Sequence, residues 1–352
     1  MDTSLSIRHR HSATLLFKER ASGPRGWLLL AGLALAAAPW LGNEYVLSAI
    51  LVPFLVLSLA GIGLNLLTGY AGQTSLGSGG FMAVGAFVAY AFLLRANLDF
   101  LPALFLGALA AALVGAIFGL PAAKIKGFYL MVTSLAAQFF LEWLFLKFPW
   151  FYNYDSSGTV SAPRLAVFKW NIASPQGKYY LVLGIVVALT WVARNLAHSR
   201  TGRDWMAIRD MDTAASVIGI RVNRNKVLAF AVSAFYLGVA GALWAFVYLG
   251  SAGIQSFGLS RSFQILFIVI IGGLGSIGGS FIGAAFISLL PIALDLASHG
   301  LFGGKIDDGL LQNAQKVIFG ILIIVFLVKE PEGIARLLQT LRERLKVWPL
   351  RF

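Results

Sequence analysis

The chain has 352 residues, of which 58% are hydrophobic and only 12% charged, and its mean hydropathy is +0.79. Charged residues make up about a quarter of a typical soluble domain, so this composition excludes a soluble globular protein and indicates one that crosses a membrane many times. The net charge of +13 sits in loops between apolar runs, which is the mark of membrane orientation and not of nucleic-acid binding. With no cysteine and four scattered histidines (His9, His11, His198 and His299), disulfides, thiolate chemistry and a metal-ligand spacing are excluded as well.

Residues 1–25 form a basic N-terminal segment (Arg8, Arg10, Lys18, Arg20, Arg25), followed by an apolar run over 26–42. The pair resembles a signal peptide, but the basic lead is long and more apolar runs follow at once, so an uncleaved first span is expected. Further spans are predicted at 45–67, 76–94, 101–120, 128–148, 179–196, 227–249, 262–274, 278–297 and 312–328. The fold class is therefore all-α, a polytopic membrane bundle of about ten crossings. The run 262–274 falls short of the ~20 residues needed to span a bilayer, which predicts a half-helix or a re-entrant segment there. An even count puts both termini on one side. Loops on that side hold 20 of the 28 Lys and Arg, which assigns both termini and the 199–226 loop to the cytoplasm of a bacterial-type inner membrane. The opposite segment 149–178 is rich in aromatics (Trp150, Tyr152, Tyr154, Phe168, Trp170), suited either to the lipid interface or to a partner outside. The tail 331–352 is basic and amphipathic, with Ile334, Leu337, Leu338, Leu341 and Leu345 as its apolar stripe.

The 199–226 loop is a polar interruption between greasy spans. Trp205, Ile208, Ala215 and Ile218 recur at helical offsets and predict an amphipathic helix with Arg203, Asp204, Arg209, Asp210 and Asp212 around the rest. So short a helix wants a partner, and the small residues Ala214, Ala215 and Gly219 permit close approach. The bland alternative is a helix lying on the lipid interface.

Two segments are dense in glycine. The first runs from Gly61 to Gly85 and is interleaved with Asn65, Thr68, Gln73, Thr74 and Ser75; the second runs from Gly272 to Gly283. Polar, flexible backbone at membrane depth is tolerated only where it lines a cavity or packs on protein. Gln73, Thr74, Ser75 and Asn65 are accordingly pathway candidates, whereas Gly275, Gly279 and Gly283, spaced by four, suit helix packing, as do Ala111, Gly115 and Gly119. A third polar set, Thr133, Ser134, Gln138 and Glu142, recurs at offsets of about four and predicts one shared helical face, with Thr133 and Gln138 as candidates for touching a solute.

The stretch from Gly63 to Gly77 (GLNLLTGYAGQTSLG), the Gly127–Thr133 segment (GFYLMVT), and Gly202-Arg203 through Arg209-Asp210 to Gly219-Ile220, in this order, resemble the branched-chain amino acid ABC transporter permeases of the LivM type. The likeness covers most of residues 45–330. It implies a transmembrane permease domain over 26–330, a homologous second permease subunit, two ATPase subunits, an extracytoplasmic substrate-binding protein, and alternating access driven by ATP. It also implies that Asp212, Ala214, Ala215 and Gly219 belong to the loop motif that docks into an ATPase, with Arg203, Arg209 and Asp210 beside it; Met211-Asp212 stand where the family usually carries Asn-Glu.

Neither Gly177-Lys178 nor Gly304-Lys305 sits in a phosphate-binding loop, so ATP and its Mg are expected on partner subunits, with no cofactor on this chain. No Ser, His and acid set suggests an enzyme. The alternatives are a urea or short-amide permease of the same family, and a self-contained secondary transporter or channel.

Overall fold

A computed structural model describes residues 43–125, 127–161, 166–167, 170–171, 174–302, 317–318, 320–321 and 333–335. The N-terminal segment, the span at 26–42, most of that at 312–328 and nearly all of the tail lie outside the described residues. Among those described, seven helices are long and apolar enough to cross a membrane, and an eighth, Ile277–Ala293, is apolar but shorter.

Helix α1 (Val52–Asn65) is flanked by π-helical turns at Val46–Leu51 and Leu66–Tyr70. After an extended run, α2 (Ser78–Arg95) and α3 (Phe100–Ala122) form a hairpin. Gly127, at φ +63°, admits the reversal into α4 (Phe128–Lys147). Two short strands, β2 (Ala166–Val167) and β3 (Trp170–Asn171), pair antiparallel after β1 (Thr159–Ser161). Helix α5 (Pro175–His198) starts where Ser174 Oγ accepts the Gly177 N–H and Pro175 fills a first-turn position that needs no donor. The polar loop folds into α6 (Arg200–Asp210) and α7 (Asp212–Val217). The long α8 (Val222–Leu243) then runs into a π-helical turn, Trp244–Leu249, and β4 (Ser251–Gly253), which pairs with β1. A 3-10 turn, Ile254–Phe257, leads back into α9 (Leu259–Gly272), and α10 (Ile277–Phe302) follows.

The expected short piece at 262–274 thus begins earlier. With the preceding 3-10 turn it is a 19-residue helical unit, Ile254–Gly272, long and apolar enough to cross a membrane, where a half-helix or re-entrant segment was expected. At 1.5 Å per residue the 14 residues of α9 reach only about 21 Å.

Small residues set the packing of the core. On α3, Ala103, Gly107, Ala111, Gly115 and Gly119 face inward, while Phe105, Leu109, Leu113, Ile117 and Leu120 face out. The two stripes are equally apolar and differ in volume, as expected where lipid takes the place of water and backbones must approach closely. A Cβ on Gly85 would stand 2.2 Å from the Gly238 carbonyl, and one on Gly115 2.4 Å from the Ala234 methyl, which locks α2 and α3 onto α8. Gly63 gives α1 the same close approach to α8 at Tyr236.

Candidate coupling and pathway sites

The polar loop is two helices and not one. Ser199 caps α6 by accepting the Gly202 N–H, and Gly202 is buried where a Cβ would meet the Ala197 carbonyl at 2.3 Å. At Met211 the chain turns extended (φ −161°, ψ 101°), so the expected continuous amphipathic helix is broken there. Trp205, Ile208 and Ala215 are buried, as the periodicity predicts, but the break rotates Ile218 away from them and leaves it 73% exposed. Met211 at 62% and Val217 at 85% are exposed with it. Gly219, at φ +89° with nothing within 4 Å of a Cβ there among the described residues, ends the element. Ala214 faces out, whereas Ala215 faces this chain's own body and is no longer available as a small contact for a partner.

Three anchors join this unit to the bundle. The Trp205 indole donates to the Asn225 carbonyl at 3.0 Å. Asp212 pairs at 3.6 Å with Lys226, which is 3% exposed, so its carboxylate is engaged at the base of α8. Arg209 donates from Nη1 to the Gly69 carbonyl at 2.8 Å, while Nε and Nη2 hold Asp210 Oδ1 at 3.0 and 2.9 Å. The same arginine lies against Gly72 and Gly275, both at positive φ. Arg203 is exposed and bonds the His198 carbonyl at the end of α5.

Arg209 therefore touches the place where the first glycine segment leaves the helix. Beyond the Leu66–Tyr70 turn the chain is extended through 71–77 before α2 starts at Ser78. Its opened backbone is satisfied locally and from afar. Thr68 Oγ donates to the Gln73 carbonyl at 3.2 Å, Ser134 Oγ accepts the Leu76 N–H at 2.9 Å, and Ser262 Oγ accepts the Gly79 N–H at 2.8 Å. Gln138 accepts from the Gly80 N–H and the Ser262 hydroxyl through Oε1 and donates to the Phe257 carbonyl at 2.9 Å. It thereby ties the middle of α4 to the start of α2 and to the Ile254–Phe257 turn.

Two pathway expectations change on this geometry. Gln138 is buried and spends its amide on the chain's own backbone, as does Asn65, which donates to the Ser276 carbonyl at 2.8 Å and accepts the Gly275 N–H at 2.8 Å. Both are braces and not the lining of an open route. Thr133 is half-buried and bonds the Tyr129 carbonyl of its own helix, whereas Ser134 and Gln138 are buried. Gln73 and Ser75 are buried and Thr74 half-buried in the extended run; Gln73 Oε1 has no hydrogen-bond partner among the described residues.

The family model described as "Branched-chain amino acid transport system / permease component" matches residues 46–327. The chain belongs to that family. Among curated relatives, it is 28% identical over 316 residues to the high-affinity branched-chain amino acid transport system permease protein LivM of Salmonella typhimurium, covering 82% of this chain and 69% of that one. LivM of Escherichia coli matches with the same identity and coverage. LivH of Salmonella typhimurium is 25% identical over 307 residues, 79% of this chain and 90% of that one. No solved structure matches. The chain is thus a multi-pass permease component of a transport system and the membrane-spanning kind of subunit, consistent with its not being an enzyme.

In this permease the predicted packing glycines divide. Gly279 and Gly283 sit on α10, where a Cβ would stand 2.4 Å from the Gly272 carbonyl and 2.0 Å from that of Ile268, so they hold α10 on α9. Gly275 precedes the helix, in a turn at φ +73°, and its role is conformational. Reading along the sequence missed Lys226, Ser262 and Arg261. Lys226 and Ser262 sit four residues or fewer from features already singled out, but their partners are 14 and 183 positions away.

Proposed function

We propose that this chain is the membrane-spanning permease subunit of an ATP-driven importer for branched-chain or related hydrophobic amino acids. It pairs with a homologous second permease, two ATPase subunits and an extracytoplasmic binding protein, with both termini in the cytoplasm of an inner membrane. One observation carries the reading: the apolar cap of Met211, Val217 and Ile218 is exposed on the surface of a unit clamped to the bundle by Trp205, Asp212 and Arg209. Exposed apolar groups at the end of a polar loop suit a protein contact, and a rigid clamp suits the transmission of force.

ATP and Mg belong to the partner subunits, and their closure supplies the movement. This chain's part is mechanical. Displacement of α7 is passed through Lys226 to α8, and that of α6 through Arg209 to the Gly69–Gly77 and Gly273–Ser276 turns, where Gly72, Gly273 and Gly275 at positive φ mark the points at which the backbone bends. Tilting of α1 and α2 about those turns opens the route to one side at a time.

The test is Ile218→Asp together with Val217→Asp in the whole transporter. Insertion of the chain into membranes is expected to be unchanged, the ATPase subunits to be lost on purification, and import to fall by about ten-fold or more. Retention of both the ATPase and full import would overturn the docking role.

A further inference from the structure

The two acids on either side of the Met211 break do different things. The Asp210 side chain is 69% exposed and shares its carboxylate with the neighbouring Arg209. The Asp212 side chain is only 22% exposed, and its Oδ2 lies 3.6 Å from the ammonium of Lys226, the fifth residue of α8. Lys226 is buried, and among the described residues no other carboxylate pairs with it. Ala215, three residues beyond Asp212 and so on the same helical edge, is buried as well. Val217 and Ile218, at offsets of five and six, fall on the other side and are exposed. Helix α7 thus has an inner edge that grips α8 and an outer edge that is free to meet a partner.

A buried ammonium is strongly destabilising when its partner is withdrawn, so α7 does not lift from α8 without stranding Lys226. The residue before it, Asn225, takes the Trp205 indole N–H on its carbonyl, so α6 and α7 hold consecutive positions of the same helix. More of the α8 span, Val222–Leu249, is buried inside the protein than of any other described span. A Cβ on Gly238 would stand 2.6 Å from the Ala111 methyl, and one on Gly241 2.0 Å from the Met82 carbonyl. Contacts that close leave α8 no room to shift without taking α2 and α3 with it.

We infer that Lys226 is a positioning residue of the transport cycle: its ion pair with Asp212 is a buried strut that keeps α7 on α8 throughout and makes α8 the member that ATPase movement drives. This rests on the reading of the loop as a docking element and gives that element a direction. Asp212 acts inward, on this chain, and Asp210 is the acid of the pair that a partner can reach. Force enters at Val217 and Ile218, crosses the Asp212–Lys226 pair and displaces α8 together with α2 and α3. The extended backbone at Met211 is the joint that lets α7 turn against α6 while the pair stays closed.

The test uses the whole transporter, with ATPases, second permease and binding protein, in lipid vesicles. Asp212→Asn strands the buried ammonium and lowers the yield of assembled transporter; adding Lys226→Met removes the stranded charge and restores assembly with the ATPase subunits. The double variant hydrolyses ATP, but the leucine imported for each ATP falls about ten-fold, whereas Lys226→Arg, which keeps the pair, retains most of it. Wild-type leucine import per ATP in the double variant reduces the pair to packing and overturns the strut. Loss of the ATPase from Asp212→Asn that Lys226→Met does not restore places Asp212 on the ATPase and overturns it too. If the double variant does not assemble, Lys226→Met alone, which leaves only the water-accessible Asp212 unpaired, carries the same decision. A second readout follows α8 itself. The chain has no cysteine, and Tyr248→Cys, beside a cavity at the far end of the α8 span, changes its rate of reaction with a water-soluble methanethiosulfonate when ATP and Mg are added. That change vanishes in the double variant, and its persistence overturns the strut. If wild type imports no leucine, the substrate reading falls separately and the cysteine at 248 still decides; retention of the ATPase by Ile218→Asp with Val217→Asp sinks the docking reading by itself.

Discussion

The two glycine-dense segments converge on Arg209 and solve opposite problems. Between Leu66 and Gly80 the chain leaves the helix, runs extended and re-enters it, and each opened N–H and carbonyl needs a partner that lipid cannot supply. Hydroxyls and amides from Thr68, Ser134, Gln138 and Ser262 supply them. Between Gly272 and Gly283 the chain turns in four residues and resumes a helix, on which Gly279 and Gly283 are contact surfaces for α9. That turn takes its hydrogen bonds from Asn65, a side chain of the other segment. Glycine permits close approach in both; the neighbouring polar side chains decide whether backbone stays open inside a membrane.

The comparison breaks most sharply at the glycines themselves. Gly79→Val forces a branched Cβ to within 2.2 Å of the Phe257 carbonyl, whereas one on Gly278 meets nothing within 4 Å among the described residues. The first change is expected to cost about 4 kcal/mol or more and the second less than about 1 kcal/mol, read from thermal unfolding of the detergent-purified chain. Equal effects would show that Gly278 is packed as tightly as Gly79.

The braces come next. Asn65→Leu leaves the Gly275 N–H and the Ser276 carbonyl without their partner and is expected to cost about 2–3 kcal/mol in the same assay. Gln73→Leu removes an oxygen without a partner among the described residues and an amide bonded to the Ala71 carbonyl, and is expected to cost about 1 kcal/mol or less. A larger loss at Gln73 would mean that the extended run depends on it as a brace.

Arg209→Gln sharpens the meeting point with the smallest effect on stability, under about 1 kcal/mol, because the side chain is one-third exposed. Its effect is expected in coupling: ATP hydrolysis continues while the amount of solute imported for each ATP falls. Unchanged stoichiometry would detach both glycine turns from the loop.

Much of the coupling unit is legible in the sequence because it is wet, and periodicity works where one face meets water. Trp205, Ile208 and Ala215 fall on the buried side as their spacing predicts. The miss at Ile218 has a local cause, the extended backbone at Met211, which breaks the period and turns an expected core residue into part of the exposed cap. The pathway candidates are less legible. Asn65 and Gln138 look like solute ligands because polar side chains are rare at that depth, yet each is consumed by backbone from a distant segment, Asn65 by Gly275, 210 positions on.

The amino-acid sequence by itself determines that this is a polytopic helical membrane protein, where most of its crossings run, that its polar loop interrupts them, and which family it belongs to. Tertiary structure alone decides which stripe of a uniformly apolar helix such as α3 turns inward and which polar groups are spent on the fold. The reason is physical. Lipid and protein interior are equally apolar, so hydropathy does not separate the faces, and the sorting falls to side-chain volume and to hydrogen-bond partners that only the folded chain brings together.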